Sequence, residues 1–215
     1  MSNEISCGIC YHTGMNPQDI IDAFFIQDGQ QQPNGVVKRS VLLSLEKDIG
    51  FCILLPGIWK GQRSTIQVSD AQYGALQQKL PTFTVVSLFC TAVDVLARVV
   101  NKTSVPPRGQ NGIFFRNCAE QWFGLNNQEA LELWQLRNGI SHGYRLVTGQ
   151  SAKQYGHGRV ILQRPDGIWE FYLHAMYTSI QQAKRSIHTH LSGESATDKQ
   201  TTATYLEQNG FFYTR

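Results

Sequence analysis

Apolar side chains recur at intervals of three and four residues along most of this chain. That spacing places them on one face of an α-helix and is typical of helices packed in a core. The longest run, 82–102, is apolar over a wide arc and predicts a helix buried on most sides. The pattern predicts a mainly α fold, with a helix starting at Asn126 or Asn127 and others at 19–27, 71–80, 82–102, 113–124 and 175–191.

Other segments break the helical spacing. Two β-prone runs flank a Pro-Asp-Gly turn, which predicts a hairpin at 159–174. The segment 36–55 is apolar and fits a helix, although its end could equally be a buried strand closed by Pro56-Gly57. Breaker residues predict loops at 27–35 and 101–112.

The last part of the chain has a different composition. Residues 192–204 are poor in hydrophobic side chains and predict a flexible linker, whereas 205–215 regain aromatic residues that dock on the body or across a dimer. We therefore divide the chain into an N-terminal helical extension at 1–68, a helical core at 69–191 that includes the hairpin, and a linker with a C-terminal docking segment at 192–215.

Composition indicates a folded protein that has a partner. The chain has 215 residues, of which 41% are hydrophobic and 16% charged. This is enough for a proper core, and the low charge favours self-association or another partner. The net charge of +3 permits nucleic-acid binding. No apolar run approaches the roughly twenty residues of a membrane span, and the N-terminus has no export signal, so we expect a cytoplasmic protein with no membrane partner.

Five cysteines, an odd number, fit a reducing compartment better than a disulfide framework. Cys7-x-x-Cys10, followed by His12, looks like part of a zinc or redox site. A structural zinc needs four ligands, and the other cysteines stand singly in apolar segments. We therefore expect two unligated thiols here, no metal site and no cofactor.

The segment 133–146, LWQLRNGISHGYRL, concentrates the candidate chemistry at the end of a predicted helix. Successive helical residues advance by about 100°. One apolar stripe of this helix is formed by Leu133, Leu136 and Ile140. Arg137 lies inside that stripe, within roughly 40° of the first of these residues. A guanidinium on a buried face costs several kcal/mol unless it meets a carboxylate or an anionic ligand, so Arg137 needs a partner.

Further polar groups follow Arg137 at close spacing. Asn138 and His142 are four residues apart, so the amide can orient the imidazole. Gly143 is typical of a residue just past a helix end, which would leave His142 and Tyr144 at an exposed terminus. The segment thus offers a cation for phosphate, a group that titrates near neutral pH and a phenol.

Arg137-Asn138-xxx-His142 resembles the R-x(4–6)-H signature of HEPN domains, and Arg137-xxxx-His142-x-Tyr144 is similar to the narrower form found in HEPN/MNT-type toxins. The resemblance implies a HEPN-like helical bundle that pairs two-fold, so that two motifs line one cleft. It also implies metal-independent RNA cleavage, in which the His is the general acid/base for attack of the ribose 2′-OH and the Arg holds the phosphate. In those toxins a partner nucleotidyltransferase modifies the matching Tyr, which makes a cognate antitoxin a candidate partner.

Two charged residues interrupt the long apolar run 82–102. Asp94 and Arg98 are four apart, in the order that favours a local helix pair on a narrow exposed face. Alternatively, Asp94 crosses to Arg137 on the motif helix and fixes its fork for phosphate. These helices are neighbours in the helical hairpin that the HEPN resemblance implies. The second alternative predicts a salt-bridge distance between Asp94 and Arg137.

Cationic and aromatic side chains surround the hairpin. Lys153, His157 and Arg159 scatter through a glycine-rich segment and would help to hold an RNA backbone beside the cleft. The aromatic residues of the second strand are either core or a stacking platform for bases. They are Trp169, Phe171 and Tyr172.

Two classes of function follow from these residues. The first is a homodimeric HEPN-type endoribonuclease, a toxin, defence or RNA-processing factor. The second is a non-catalytic HEPN-like module that binds RNA or nucleotide, or only dimerises. The candidate residues are Arg137, His142, Asn138 and Tyr144 for catalysis and Asp94, Ser141 and Arg145 for substrate binding.

Overall fold

A computed structural model shows the arrangement of most of the chain. It describes residues 16–27, 30–31, 37–61, 82–103, 107–143, 149–153 and 158–214. Within these ranges, the side chains of 30–31, 54–61, 82–83, 142–143 and 214 lie outside the description. The N-terminal Cys7-x-x-Cys10 pair and the predicted helix 71–80 also lie outside it.

The fold is mainly α. The described part contains seven helices, which are α1 Pro17–Phe25, α2 Val41–Gly61, α3 Thr82–Asn101, α4 Asn111–Phe123, α5 Asn127–Gly143, α6 Leu173–Ser192 and α7 Ala196–Gln208. Its short strands are β1 Gln30–Gln31, β2 Val37–Ser40, β3 Gln150–Lys153, β4 Ile161–Gln163, β5 Trp169–Tyr172 and β6 Phe212–Thr214.

Helix α3 is the centre of the bundle, because it packs against α2, α4, α5, α6 and α7. Its fully buried residues include Val86, Phe89, Val93 and Leu96. Contrary to the expectation from the sequence, Thr84–Asn101 has the length and mean hydropathy, 1.6, to cross a membrane, and half of this stretch is buried inside the bundle. The central helix of a bundle has the same composition for a different reason, since most of its surroundings are other helices.

Local signals set the bounds of the helices around the motif. Helix α4 ends at Gly124, which adopts a left-handed backbone with φ 67° as a helix stop requires. Asn126 then caps α5, since its side chain accepts a hydrogen bond from the Glu129 backbone N–H at 2.9 Å. The Glu129 carboxylate accepts one from the Asn126 N–H at 2.9 Å. This reciprocal pair confirms the predicted start of the motif helix, while Gly143, expected just past its end, still belongs to α5.

The predicted hairpin is present as β4 and β5, which pair antiparallel. Its aromatic residues are mainly core, because Phe171 is fully buried, Tyr172 is buried and Trp169 is half-buried. The sequence pattern missed β3, which pairs parallel to β5 and makes a sheet in the order β3-β5-β4. The hairpin is therefore the larger part of a three-stranded sheet.

The expectation of a flexible linker after Ser192 is wrong, because this segment forms helix α7. Ser195 caps the helix by accepting a hydrogen bond from the Asp198 backbone N–H. The buried face of α7 consists of Thr202, Ala203, Tyr205 and Leu206, and the helix packs on α1. Small and hydroxyl side chains form half of this face, which is why counting hydrophobic residues underestimated its burial.

The aromatic C-terminal segment docks on the body of the same chain. Strand β6 pairs antiparallel with β2, and β2 pairs with β1. Helix α2 then continues through Pro56, so the ambiguous segment 36–55 is a short strand followed by a helix. The loop expected at 27–35 contains the two-residue strand β1.

Two basic residues of α6 make contacts with neighbouring helices. Lys184 forms an ion pair with Glu46 of α2, and both side chains are largely buried. His188 Nε2 lies 2.7 Å from Asp22 Oδ1 of α1. Burial by itself would raise the pKa of Asp22, but hydrogen bonds from His188 and Gln18 hold it below its usual value. The N-terminal helices therefore share one core with the rest of the described chain.

Replacing Leu206 tests whether α7 is an integral part of the core. Because Leu206 is fully buried, we expect Leu206→Ala to lower the free energy of unfolding by about 2–5 kcal/mol in urea denaturation. The matched control is Gln208→Ala on the exposed face of the same helix, with a change within about 0.5 kcal/mol. Equal and negligible effects of both substitutions would show that 196–208 does not pack on the body.

Candidate functional site

The guanidinium of Arg137 meets a carboxylate from the neighbouring helix. Its Nε donates a hydrogen bond to Asp94 Oδ2 at 3.2 Å, and its Nη2 lies 3.1 Å from the same oxygen. The two side chains are 28% and 24% exposed, so the pair is neither sealed in the core nor freely solvated. The predicted salt bridge between α3 and α5 is confirmed, and it supplies the partner that a charge in an apolar stripe requires.

Two further contacts fix the plane of the Arg137 guanidinium. Its Nη1 donates to the Asn138 side-chain oxygen at 3.3 Å. Its central carbon lies 5.2 Å from the centroid of the Trp134 ring, within cation–π range. Trp134 in turn contacts Phe115, with ring centroids 5.3 Å apart, and closely approaches Gly112 at the start of α4. Arg137 is therefore held by a carboxylate, an amide and an indole.

A small pocket opens beside this ion pair, between α3 and α5. Its cavity volume is about 60 Å³, it is partly open to solvent, and its lining is mostly polar. The lining residues are Ser87, Cys90, Thr91 and Asp94 from α3 and Arg137, Ile140 and Ser141 from α5. Hydroxyl groups thus stand next to a cation and a carboxylate, which is an arrangement suited to a ligand with both anionic and hydroxyl groups.

Burial changes the proton affinities of the groups in this pocket. It raises the pKa of Asp94 above its usual value, although the charge and hydrogen bond of Arg137 act in the opposite direction. Burial also raises the pKa of the Cys90 thiol strongly, and the Asp94 charge adds to this effect. Cys90 therefore stays protonated at neutral pH and is not an activated nucleophile.

The structure brings together four of the residues predicted for the site. Arg137, Asn138, Asp94 and Ser141 surround the ion pair and its pocket. The backbone of His142 belongs to helix α5, and its side chain lies outside the described residues. The other two predicted site residues, Tyr144 and Arg145, also lie outside them.

Sequence reasoning missed the residues that line the α3 side of the pocket. Ser87 and Thr91 precede Asp94 by seven and three residues, so all three lie near one face of the helix. A search for polar residues at this spacing within the apolar run would have found them. Sequence reasoning also missed the contact between the Trp134 ring and the Arg137 guanidinium.

Two cations near the sheet form ion pairs with buried carboxylates. Lys153 pairs with Glu170 at 2.6 Å, and Arg159 pairs with Glu129. Both carboxylates are nearly inaccessible to solvent, whereas both cations are about half exposed. Lys153 and the hydroxyl of Tyr172 lower the pKa of Glu170. These pairs stabilise the sheet and the cap of α5, so the cationic groups are less available to an RNA backbone than their charge suggests.

Among the described residues, no three His, Cys, Asp or Glu side chains converge to hold a metal ion. No family model, no curated protein and no solved structure matches the chain. The likeness to HEPN domains therefore depends on the motif residues and their helical surroundings.

A double-mutant cycle tests the ion pair. We expect Asp94→Asn and Arg137→Met to be coupled by about 0.5–3 kcal/mol in the free energy of unfolding, because the two groups are in contact and partly buried. Arg98→Met is the matched control, since Arg98 is exposed on the same helix as Asp94. Its coupling to Asp94 should stay below about 0.5 kcal/mol. A larger coupling to Arg98 would favour the local pair and contradict the contact between helices.

Proposed function

We propose that this protein is a HEPN-type, metal-independent endoribonuclease that works as a homodimer. The observation that carries the proposal is the fixed guanidinium of Arg137, placed beside a polar pocket on the helix that continues to His142. A guanidinium held by a neighbouring carboxylate is pre-organised to bind phosphate through its remaining N–H groups. His142, the histidine of the R-x4-H motif, is a residue type that can transfer protons near neutral pH.

The proposed reaction needs no group beyond those of the chain and its RNA. His142 of one protomer takes the proton of a ribose 2′-hydroxyl, and that oxygen attacks the adjacent phosphorus. The bond from phosphorus to the 5′-oxygen of the next nucleotide breaks, and His142 of the partner subunit protonates this oxygen. Arg137 stabilises the negative charge on the phosphoryl oxygens. The products carry a 2′,3′-cyclic phosphate and a free 5′-hydroxyl.

The remaining motif residues have supporting roles in this proposal. The amide oxygen of Asn138 accepts a hydrogen bond from Arg137, so Asn138 would help to orient the cation as well as the imidazole. Tyr144 and Arg145 would lie at the edge of the cleft, where the cation helps to hold the RNA backbone and the phenol is the position that an antitoxin would modify. We propose a cytoplasmic location, where RNA is available and the thiols stay reduced.

A second candidate function is a non-catalytic module that binds RNA or nucleotide. The contact that favours it is the same ion pair, because Asp94 already neutralises Arg137 and reduces its attraction for a phosphate. Binding with modest affinity needs only the pocket and the cation. Cleavage additionally requires two imidazoles at one phosphodiester, which a dimer would provide.

Cleavage of single-stranded RNA in EDTA separates the two functions. We expect the wild type to produce fragments with 2′,3′-cyclic phosphate ends, and His142→Ala to cleave about 10²–10⁴-fold more slowly because general acid/base catalysis is lost. Arg137→Ala should show a loss of similar size, since the charge of the transition state is no longer stabilised. Fragment ends can be identified by mass spectrometry.

Matched controls for this assay are His190→Ala and Arg98→Ala, which remove the same side-chain types from exposed positions on α6 and α3. Both should retain wild-type rates. RNA binding without products would support the binding module. Equal activity of wild type and His142→Ala would show that a contaminating nuclease, or a different site, produces the fragments.

The composite cleft requires a dimer in solution. We expect light scattering after size-exclusion chromatography to give twice the chain mass at micromolar protein concentration. A mixture of active protein with excess His142→Ala should lose activity beyond simple dilution, because mixed dimers contain only one imidazole. A monomer that retains full cleavage activity would contradict the proposed two-fold site.

A further inference from the structure

The pocket beside Arg137 presents hydrogen-bond acceptors as well as a cation. The hydroxyl of Thr91 donates its proton to the Ser87 carbonyl oxygen at 2.8 Å. Its oxygen lone pairs can therefore accept a hydrogen bond from a ligand in the pocket that Thr91 lines. Asp94 uses Oδ2 for both nitrogens of Arg137, so that its other oxygen, Oδ1, is not part of this pair.

These acceptors argue against a second phosphate in the pocket. Because Arg137, the cation of this lining, would already hold one phosphate, a second anion would face the Asp94 carboxylate and the Thr91 oxygen, whose proton is already donated, and both repel negative charge. A ligand group that donates hydrogen bonds is favoured instead. The pocket is small, with a cavity volume of about 60 Å³. This is far below the range of sites that enclose a whole small molecule, so the pocket can take part of one sugar but not a base with its sugar.

We propose that the pocket between α3 and α5 binds a ribose next to the phosphate held by Arg137, with the 2′-hydroxyl of this ribose donating a hydrogen bond to Thr91 Oγ1. This proposal rests on the proposed RNA-binding function of Arg137. It makes Thr91 a residue that distinguishes RNA from DNA, separate from the groups that carry out cleavage. This hydrogen bond does not involve His142, so recognition of the 2′-hydroxyl is measurable without cleavage.

Binding of matched oligonucleotides tests this subsite. The full-length protein with His142→Ala keeps the RNA intact, and the ligands are fluorescent octamers of uridine and of deoxyuridine, which differ only at the 2′ position. We expect this protein to bind the uridine octamer about three- to tenfold more tightly than the deoxyuridine octamer. This ratio corresponds to the net contribution of one hydrogen bond to binding. Adding Thr91→Val removes the acceptor at nearly constant volume and should bring the ratio of the two dissociation constants close to one.

Two further variants separate a loss of recognition from a loss of folding. Thr91→Ser keeps the hydroxyl and should keep the preference for ribose. Thr201→Val removes a hydroxyl that makes the same bond to the carbonyl four residues earlier, in a different helix, and should change nothing. Thermal unfolding of each variant confirms that it is folded.

Each alternative result overturns the subsite in a recognisable way. Equal affinities for both octamers before Thr91 is changed would exclude recognition of the 2′-hydroxyl while leaving RNA binding by Arg137 intact. A preference for ribose that persists in Thr91→Val would assign the recognition to other residues. Absence of any binding, together with absence of cleavage by the wild type, would overturn the proposed function and the subsite together.

Discussion

A guanidinium in an apolar helical stripe must be neutralised, and in this protein Asp94 of α3 neutralises Arg137 of α5. The ion pair joins the central helix to the helix that carries the motif, so it fixes their relative rotation as well as their separation. A shift of α5 along α3 would leave one charge partly buried without a partner, at a cost of several kcal/mol. The pocket, the indole contact and the position of Asn138 all follow from this alignment.

The same constraint recurs where the sheet meets the helices. Glu129 and Glu170 are nearly inaccessible to solvent, and each is paired with a half-exposed cation. Glu129 is also part of the cap that begins α5, so the start and the middle of the motif helix are both held by charge pairs. The chain has few charged side chains, and the carboxylates of Glu129 and Glu170 hold structural elements in position instead of lying on the surface.

The Asp94–Arg137 pair has two opposing effects on the binding of a phosphate. It orients the cation, which favours a phosphate in a defined place, and it neutralises the cation, which weakens the attraction for that phosphate. Enzymes commonly accept weaker ground-state binding if the charge that develops in the transition state is stabilised by pre-organised groups. The geometry therefore suits the proposed cleavage reaction at least as well as tight binding of RNA.

The sequence by itself determined which segments are helical around the site, because helix periodicity, the Asn126 cap and the Gly124 stop are local properties. It also showed that Arg137 needs a partner, and it left two partners open for Asp94, which were Arg98 on the same helix and Arg137 on the motif helix. Tertiary structure alone decided between them, since 43 residues separate Asp94 from Arg137 and only packing sets their distance. Long-range pairing likewise created β3 and buried α7, which was not evident from the sequence because half of the buried face of α7 is Thr and Ala and carries little hydrophobic signal.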